Sequence, residues 1–114
     1  MLPASRRLER KQIEKVLKEG KSLSSSYLQV RYLLLFPAEK ATLFSVVVSS
    51  KVANTAVSRN LIKRRLRDIV QKDLAKIRGG YGVVILAKKP ANGASFATLS
   101  VDTDGALSKA GLMI

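Results

Sequence analysis

The chain has 114 residues, 46% hydrophobic and 25% charged, which is room for one domain with one core and too globular a composition for a disordered basic tail. Its 21 Lys and Arg against 8 Asp and Glu leave +13, a self-repulsion best offset by a polyanion, with nucleic acid the default partner. The absence of Cys and His excludes disulfides, thiol chemistry, His general-base chemistry and the usual zinc sites; with no spanning-length apolar run and no signal-peptide pattern, the expected address is the cytoplasm and no membrane partner is expected.

In chain order, residues 1–7 hold Pro3 and a basic pair and read as an extended, mobile leader. Leu8, Ile13, Val16 and Leu17 carry the apolar stripe of a short helix over residues 8–19, with Gly20 as its C-terminal stop. Ser22 to Ser26 reads as a loop. Tyr27 to Phe36 is a strand in which Gln29 and Arg31 alternate with Leu28, Val30 and Tyr32, and Pro37 ends it. The next strand, Thr42 to Ser49, should pair antiparallel with it across a turn at Ala38 to Lys40.

A long helix follows, with Asn54 or Thr55 as N-cap and an expected end near Arg78. At about 100° per residue, Ile62, Leu66, Ile69, Val70 and Ile77 share one face. Arg59, Lys63 and Arg67 stack beside it, Asn60 and Arg64 extend the polar stripe, and Arg65 projects from the far flank. Such a face on an arbitrary helix is commonly just solvated. Here nine Lys or Arg stand against Asp68 and Asp73 between Lys51 and Arg78, so intrahelical pairing cannot neutralise it. Four of the five central cations are Arg, whose planar fork suits phosphate.

Gly79-Gly80 breaks the helix, and Tyr81 to Ala87 is a continuous apolar run, as in a central strand buried on both faces. Strand, long helix and strand imply a crossover unit. After a turn at Ala91 to Gly93, the remainder suggests a short helical turn and then a terminal helix ending at Gly111, although Gly105, Asp102 and Asp104 are poor helix formers.

No catalytic constellation emerges. Gly79-Gly80-Tyr81-Gly82 precedes a strand, whereas a phosphate-cradling loop follows one. Asp102 and Asp104 lack a third metal ligand and read as solvated helix-end residues. The serines at 22–26 have no His or thiol beside them, and only Lys21 or Lys51 as a conceivable base.

The stretch Ala56 to Asp68, A-V-S-R-N-L-I-K-R-R-L-R-D, preceded by V-S-S-K-V, resembles the signature of the protein subunit of bacterial ribonuclease P. Supporting matches are L-P at Leu2-Pro3, R-L at Arg7-Leu8, V-L-K-E-G-K at Val16 to Lys21, V-R-Y in the first strand and V-V-I-L-A-K-K-P before the last helix. The resemblance covers essentially the whole chain. It implies a single α+β domain over residues 1–114: about four strands, of which the residue pattern alone identifies three, a long basic helix in a left-handed crossover, and the other helices on one face.

It further implies a non-catalytic subunit serving tRNA 5′ maturation. Arg59, Asn60, Lys63, Arg64 and Arg67 would bind the catalytic RNA. A cleft of Ile13, Leu17, Val30 and Tyr32, rimmed by Lys51, would take the 5′ leader of precursor tRNA. Cleavage and its Mg²⁺ would belong to the RNA, with no cofactor or metal held by the protein alone. Four positions depart from the pattern: Leu61 replaces an Arg of the R-N-R triplet, Ile13 and Leu17 replace aromatics, and Ser50 stands where Lys is common. Two other readings use the same residues. A small ribosomal RNA-binding protein would need no second, cleft-like surface, and a DNA-binding module would prefer duplex DNA, although no DNA partner is expected.

Overall fold

The apolar run Tyr81–Ala87 (β4) is buried on both faces because it lies inside a four-stranded sheet of order β1-β2-β4-β3. The computed structural model describes residues 3–114. Its elements are α1 (Arg10–Glu19), β1 (Lys21–Ser24), β2 (Leu28–Leu34), β3 (Leu43–Val47), α2 (Ala56–Asp73), β4 and α3 (Phe96–Lys109), with 3₁₀ turns at Ala4–Arg6, Leu74–Lys76 and Lys89–Ala91. β4 pairs antiparallel with β2 and parallel with β3.

The expected antiparallel pairing of Tyr27 to Phe36 with Thr42 to Ser49 therefore does not occur, because β4 inserts between the two and takes the inner backbone edge of each. The Ser22 to Ser26 loop is also corrected: Lys21–Ser24 is an edge strand pairing Ser22 with Arg31 and Leu23 with Val30. Mostly exposed edge residues need little apolar alternation, so serines hid it. Only the turn after it is irregular, and there Asp102 accepts hydrogen bonds from Ser25 Oγ (2.6 Å) and Tyr27 N (3.1 Å). Asp102 is thus a tie between α3 and the β1–β2 turn, not a solvated helix-end residue.

Two cores flank the sheet. Leu28, Val30, Phe44, Val46, Val83 and Ile85 face α2 and α3, meeting Ile62, Leu66, Ile69 and Val70 of one helix and Leu99, Ala106 and Leu107 of the other. Leu8, Val16 and Val84 form the opposite core, with Ile13, Leu17, Leu33, Leu35, Leu43, Val47 and Leu86 around it. The helices are thus not gathered on one face, since α1 covers the second face alone. Both faces of the strands are apolar, and each face needs cover.

α1 runs from the β3 side of the sheet to the β2 side. At its start Leu8 N donates to Phe44 O of β3 (2.9 Å), and at its end Gly20 N donates to Val16 O (2.8 Å) while the glycine lies against the Tyr32 carbonyl, where a side chain would collide. Gly82 lets α1 approach β4: a Cβ there would lie 3.0 Å from Val16 Cγ2 and 3.2 Å from Leu8 Cδ2. The expected leader is not extended over its described part. Residues 4–6 form a 3₁₀ turn and Arg7 bridges Phe44 on the β3 edge; Met1 and Leu2 lie outside the described residues.

Of the two N-cap candidates for α2, Thr55 serves, its side chain accepting from Ser58 N at 3.1 Å. The helix ends at Asp73 rather than near Arg78, tightening into the 3₁₀ turn so that Ile77 can bridge Met113. α3 is a single helix through Gly105, where its exposed face meets nothing, and Gly111 (φ 78°) follows it in the left-handed conformation that ends helices.

Candidate nucleic-acid interface

With Ile62, Leu66, Ile69 and Val70 buried against the sheet, α2 turns the rest of its circumference outward. Asn60, Lys63, Arg64, Arg67 and Asp68 line one shallow pocket of about 380 Å³. Four of the five predicted helix residues are therefore brought together. Arg59 is set apart, with Nη1 donating to Ala53 O at 2.9 Å and bracing the loop before the helix. Arg65 is anchored as well, its Nη1 donating to Ala94 O at 2.5 Å across to the loop before α3. It cannot replace the cation missing at Leu61 without breaking that bond.

A second, smaller pocket of about 200 Å³ adjoins the first through Arg67 and is lined also by Arg7, Leu8, Phe44, Ser45 and Val46. The bridge to the β3 edge thus adds Arg7 to the cationic face of α2. No local signal in residues 1–7 announces this, because the partner strand is some forty residues away along the chain. The opening R-L pair was its only trace.

The cleft prediction is half corrected. Ile13 and Leu17 lie half-buried on the α1 side of the sheet, but Val30 and Tyr32 point to the other side. Val30 is fully buried under α2 and α3 and can touch no ligand. The Tyr32 ring packs against that same core, 6.4 Å from the Tyr81 ring. Successive strand residues alternate between faces, so β2 offers Gln29, Arg31 and Leu33 to the α1 side instead. The register places Gln29, Leu86 and Val47 in one cross-strand row on that face, with Leu86 and Val47 half-buried beside Ile13 and Leu17. Arg31 lies half-buried on it too, its Nη2 donating to Gly20 O at 3.2 Å. Lys51 stands exposed in the turn after β3. Tyr32→Ala should therefore act on stability, costing about 2 to 3 kcal/mol for a half-buried ring in thermal melts, and should leave the preference for leader-bearing over mature tRNA unchanged.

Asp68 is the one acid among the residues that line the larger cationic pocket. The ion pairs of Lys72 sit at the far end of α2, 3.6 Å from Asp104 and 3.9 Å from Asp73, so they do not discharge the Asn60 to Arg67 face. Among the described residues, no three Asp or Glu side chains gather where a metal could be held, and no helix is long and apolar enough to cross a membrane.

A mixed four-stranded sheet carrying a lone helix on one face and an outward-facing cationic helix on the other defines a small α+β protein with a surface suited to a polyanion. The family model for ribonuclease P matches residues 2–111. The ribonuclease P protein component of Pseudanabaena sp. is 33% identical over 112 residues, covering 96% of this chain and 95% of that protein; that of Acidothermus cellulolyticus is 34% identical, covering 96% and 91%. Among solved structures, the Thermotoga maritima RNase P protein aligns with a TM-score of 0.80 at 26% identity, covering 90% of this chain and 96% of that one. The Staphylococcus aureus RNase P protein aligns at 0.83 and 21% identity, covering 98% and 100%, a likeness of fold. The chain belongs to the ribonuclease P protein family, and so is a protein subunit of an endoribonuclease holoenzyme with an RNA partner.

Proposed function

We propose that this subunit binds two RNAs on two surfaces: the catalytic RNA through α2, and the 5′ leader of precursor tRNA along the groove beside α1. The observation that carries the first half is the convergence of Asn60, Lys63, Arg64 and Arg67 on one pocket, continued by Arg7, where phosphates and 2′-hydroxyls would be held. The second half rests on the half-buried apolar strip of Ile13, Leu17, Val47 and Leu86, with Gln29 and Arg31 on the same face and Lys51 beyond the end of β3. A leader varies in sequence, so apolar contact with backbone electrostatics is a fitting design.

Bond cleavage falls to the RNA in this reading. The close acids Asp73 and Asp104 are bridged by the Lys72 ammonium, which already supplies the positive charge a metal would bring. Mg²⁺ would be held by the RNA. The cytoplasm, where precursor tRNA is processed in a bacterium, is the compartment this function implies.

The decisive experiment is cleavage of precursor tRNA by the cognate catalytic RNA at low Mg²⁺, with and without the protein. The protein should restore cleavage there, and no effect on cleavage would remove the proposal. Salt adds a second check. If α2 neutralises about four to six phosphates, log affinity for the catalytic RNA should fall with log salt at a slope of roughly −3 to −5, and a flat dependence would rule out phosphate gripping.

A further inference from the structure

Asn60 and Arg64 stand exposed one turn apart and divide the outer surface of α2. On one side lies the cationic pocket closed by Lys63, Arg67 and Asp68. On the other lies a separate depression of about 390 Å³, lined by Val57, Asn60, Leu61 and Arg64. Its floor is apolar and faces solvent: Val57 is 81% exposed and Leu61 37%. Neither residue belongs to the core, which α2 reaches through a different stripe. The next residue along this flank, Arg65, is bound to Ala94 O and so does not fold back over the shelf.

One ridge therefore has phosphate chemistry on one side and an apolar shelf on the other. A helix gripping only a sugar–phosphate backbone gains nothing from the shelf, while a protein partner docking there would have to desolvate Arg64 and its neighbouring cations. A nucleotide carries both chemistries, an anion and a flat apolar base. A base within a duplex stacks on its neighbours and hides its faces, so only an unpaired one can lie against Val57 and Leu61.

Building on the reading that α2 binds RNA, we propose that the Asn60–Arg64 ridge holds one unpaired nucleotide of the catalytic RNA. Its phosphate lies toward Lys63, Arg64 and Arg67, its base rests on Val57 and Leu61, and the Asn60 amide is in position to hydrogen-bond the base edge. Leu61 then acts by contact and Arg64 by charge, and the two contributions are separable by salt.

The test measures binding of the cognate catalytic RNA across a salt series for Leu61→Ser, Leu61→Phe and Arg64→Ala, with thermal melts confirming that each variant folds. Leu61→Ser should weaken binding about fivefold, the low end of a base-stacking contribution, with the salt slope unchanged. Leu61→Phe should bind at least as well as the parent, since a flat ring is a better platform. Arg64→Ala should weaken binding and reduce the slope by about one. If Leu61→Ser binds within twofold of the parent while Arg64→Ala is weakened, the helix grips backbone alone; the nucleotide site is then overturned and the RNA-binding role of α2 stands. A Leu61→Ser defect that lowers the salt slope also overturns it. Full binding by all three variants would instead remove α2 as the RNA-binding element.

Discussion

Arg64→Ala should weaken assembly with the catalytic RNA by about 10- to 100-fold, because one charge-assisted contact contributes about 1.5 to 3 kcal/mol and each 1.4 kcal/mol is about tenfold. The side chain is exposed on α2, away from Ile62 and Leu66, so its loss opens no cavity and the melting temperature should hold. Leu17→Glu should do the reverse. Leu17 is half-buried among the α1-side cluster, and a carboxylate at its rim would repel leader phosphates, lowering affinity for leader-bearing precursor but not assembly with the catalytic RNA. Since Leu17→Glu could unfold α1, Gln29→Glu provides a nearly isosteric probe on the same face, with the same expected pattern. The measurements are binding of catalytic RNA, precursor tRNA and mature tRNA to each variant. If variants that remain folded impair assembly and precursor binding equally, the protein has one RNA surface, and a ribosomal type of RNA binding becomes the better description.

Asp73→Asn should stabilise the protein at neutral pH by on the order of 1 kcal/mol. Asp73 closes α2 only 3% exposed, and burial, then the hydrogen bond and charge of Asp104, push its carboxyl from 3.8 to about 6, against the weaker opposing pull of Lys72 and Lys76. The raised value means that the fold favours the protonated acid. Its stabilising contribution is complete below about 3.8 and is lost as pH rises through about 6. At about 1.4 kcal/mol per unit, reduced by solvent screening and the nearby lysines, full ionisation costs on the order of 1 kcal/mol. The neutral amide avoids that cost, so denaturant melts of parent and variant should coincide near pH 4 and separate progressively to pH 7.5. Equal stability across that range would mean that Asp73 stays ionised without penalty in the fold. Lys72 joins the ends of this cluster, with Nζ donating to Ser100 Oγ at 2.9 Å. RNA assembly should be unaffected, because the cluster lies beyond the Asn60 to Arg67 face.

The cationic helix was legible before any fold was known, and for a local reason. A helix's face is set by residues three and four apart, so Ile62, Leu66, Ile69 and Val70 announced the buried stripe, and Asn60, Lys63, Arg64 and Arg67 the exposed one. The same locality made α1 and its stop at Gly20 readable, and the unbroken run of β4 marked a strand with cover on both sides.

What the tertiary structure decided were pairings and parity. Backbone hydrogen bonding is nearly blind to side-chain identity, so nothing in β2 or β3 records that β4 will come between them, and Lys21–Ser24 becomes a strand only because β2 offers an edge. Both faces of β2 are partly apolar, with Leu28, Val30 and Tyr32 on one and Leu33 on the other, so alternation shows that two faces exist but not which helix covers each. That parity moved Val30 and Tyr32 out of the expected groove and put Gln29, Arg31 and Leu33 on the α1 face, because a shift of one residue along a strand exchanges its faces. Arg7 likewise came to line a pocket with Arg67 through a bridge to β3, a placement set by where the first residues cross the sheet edge rather than by any pattern within them.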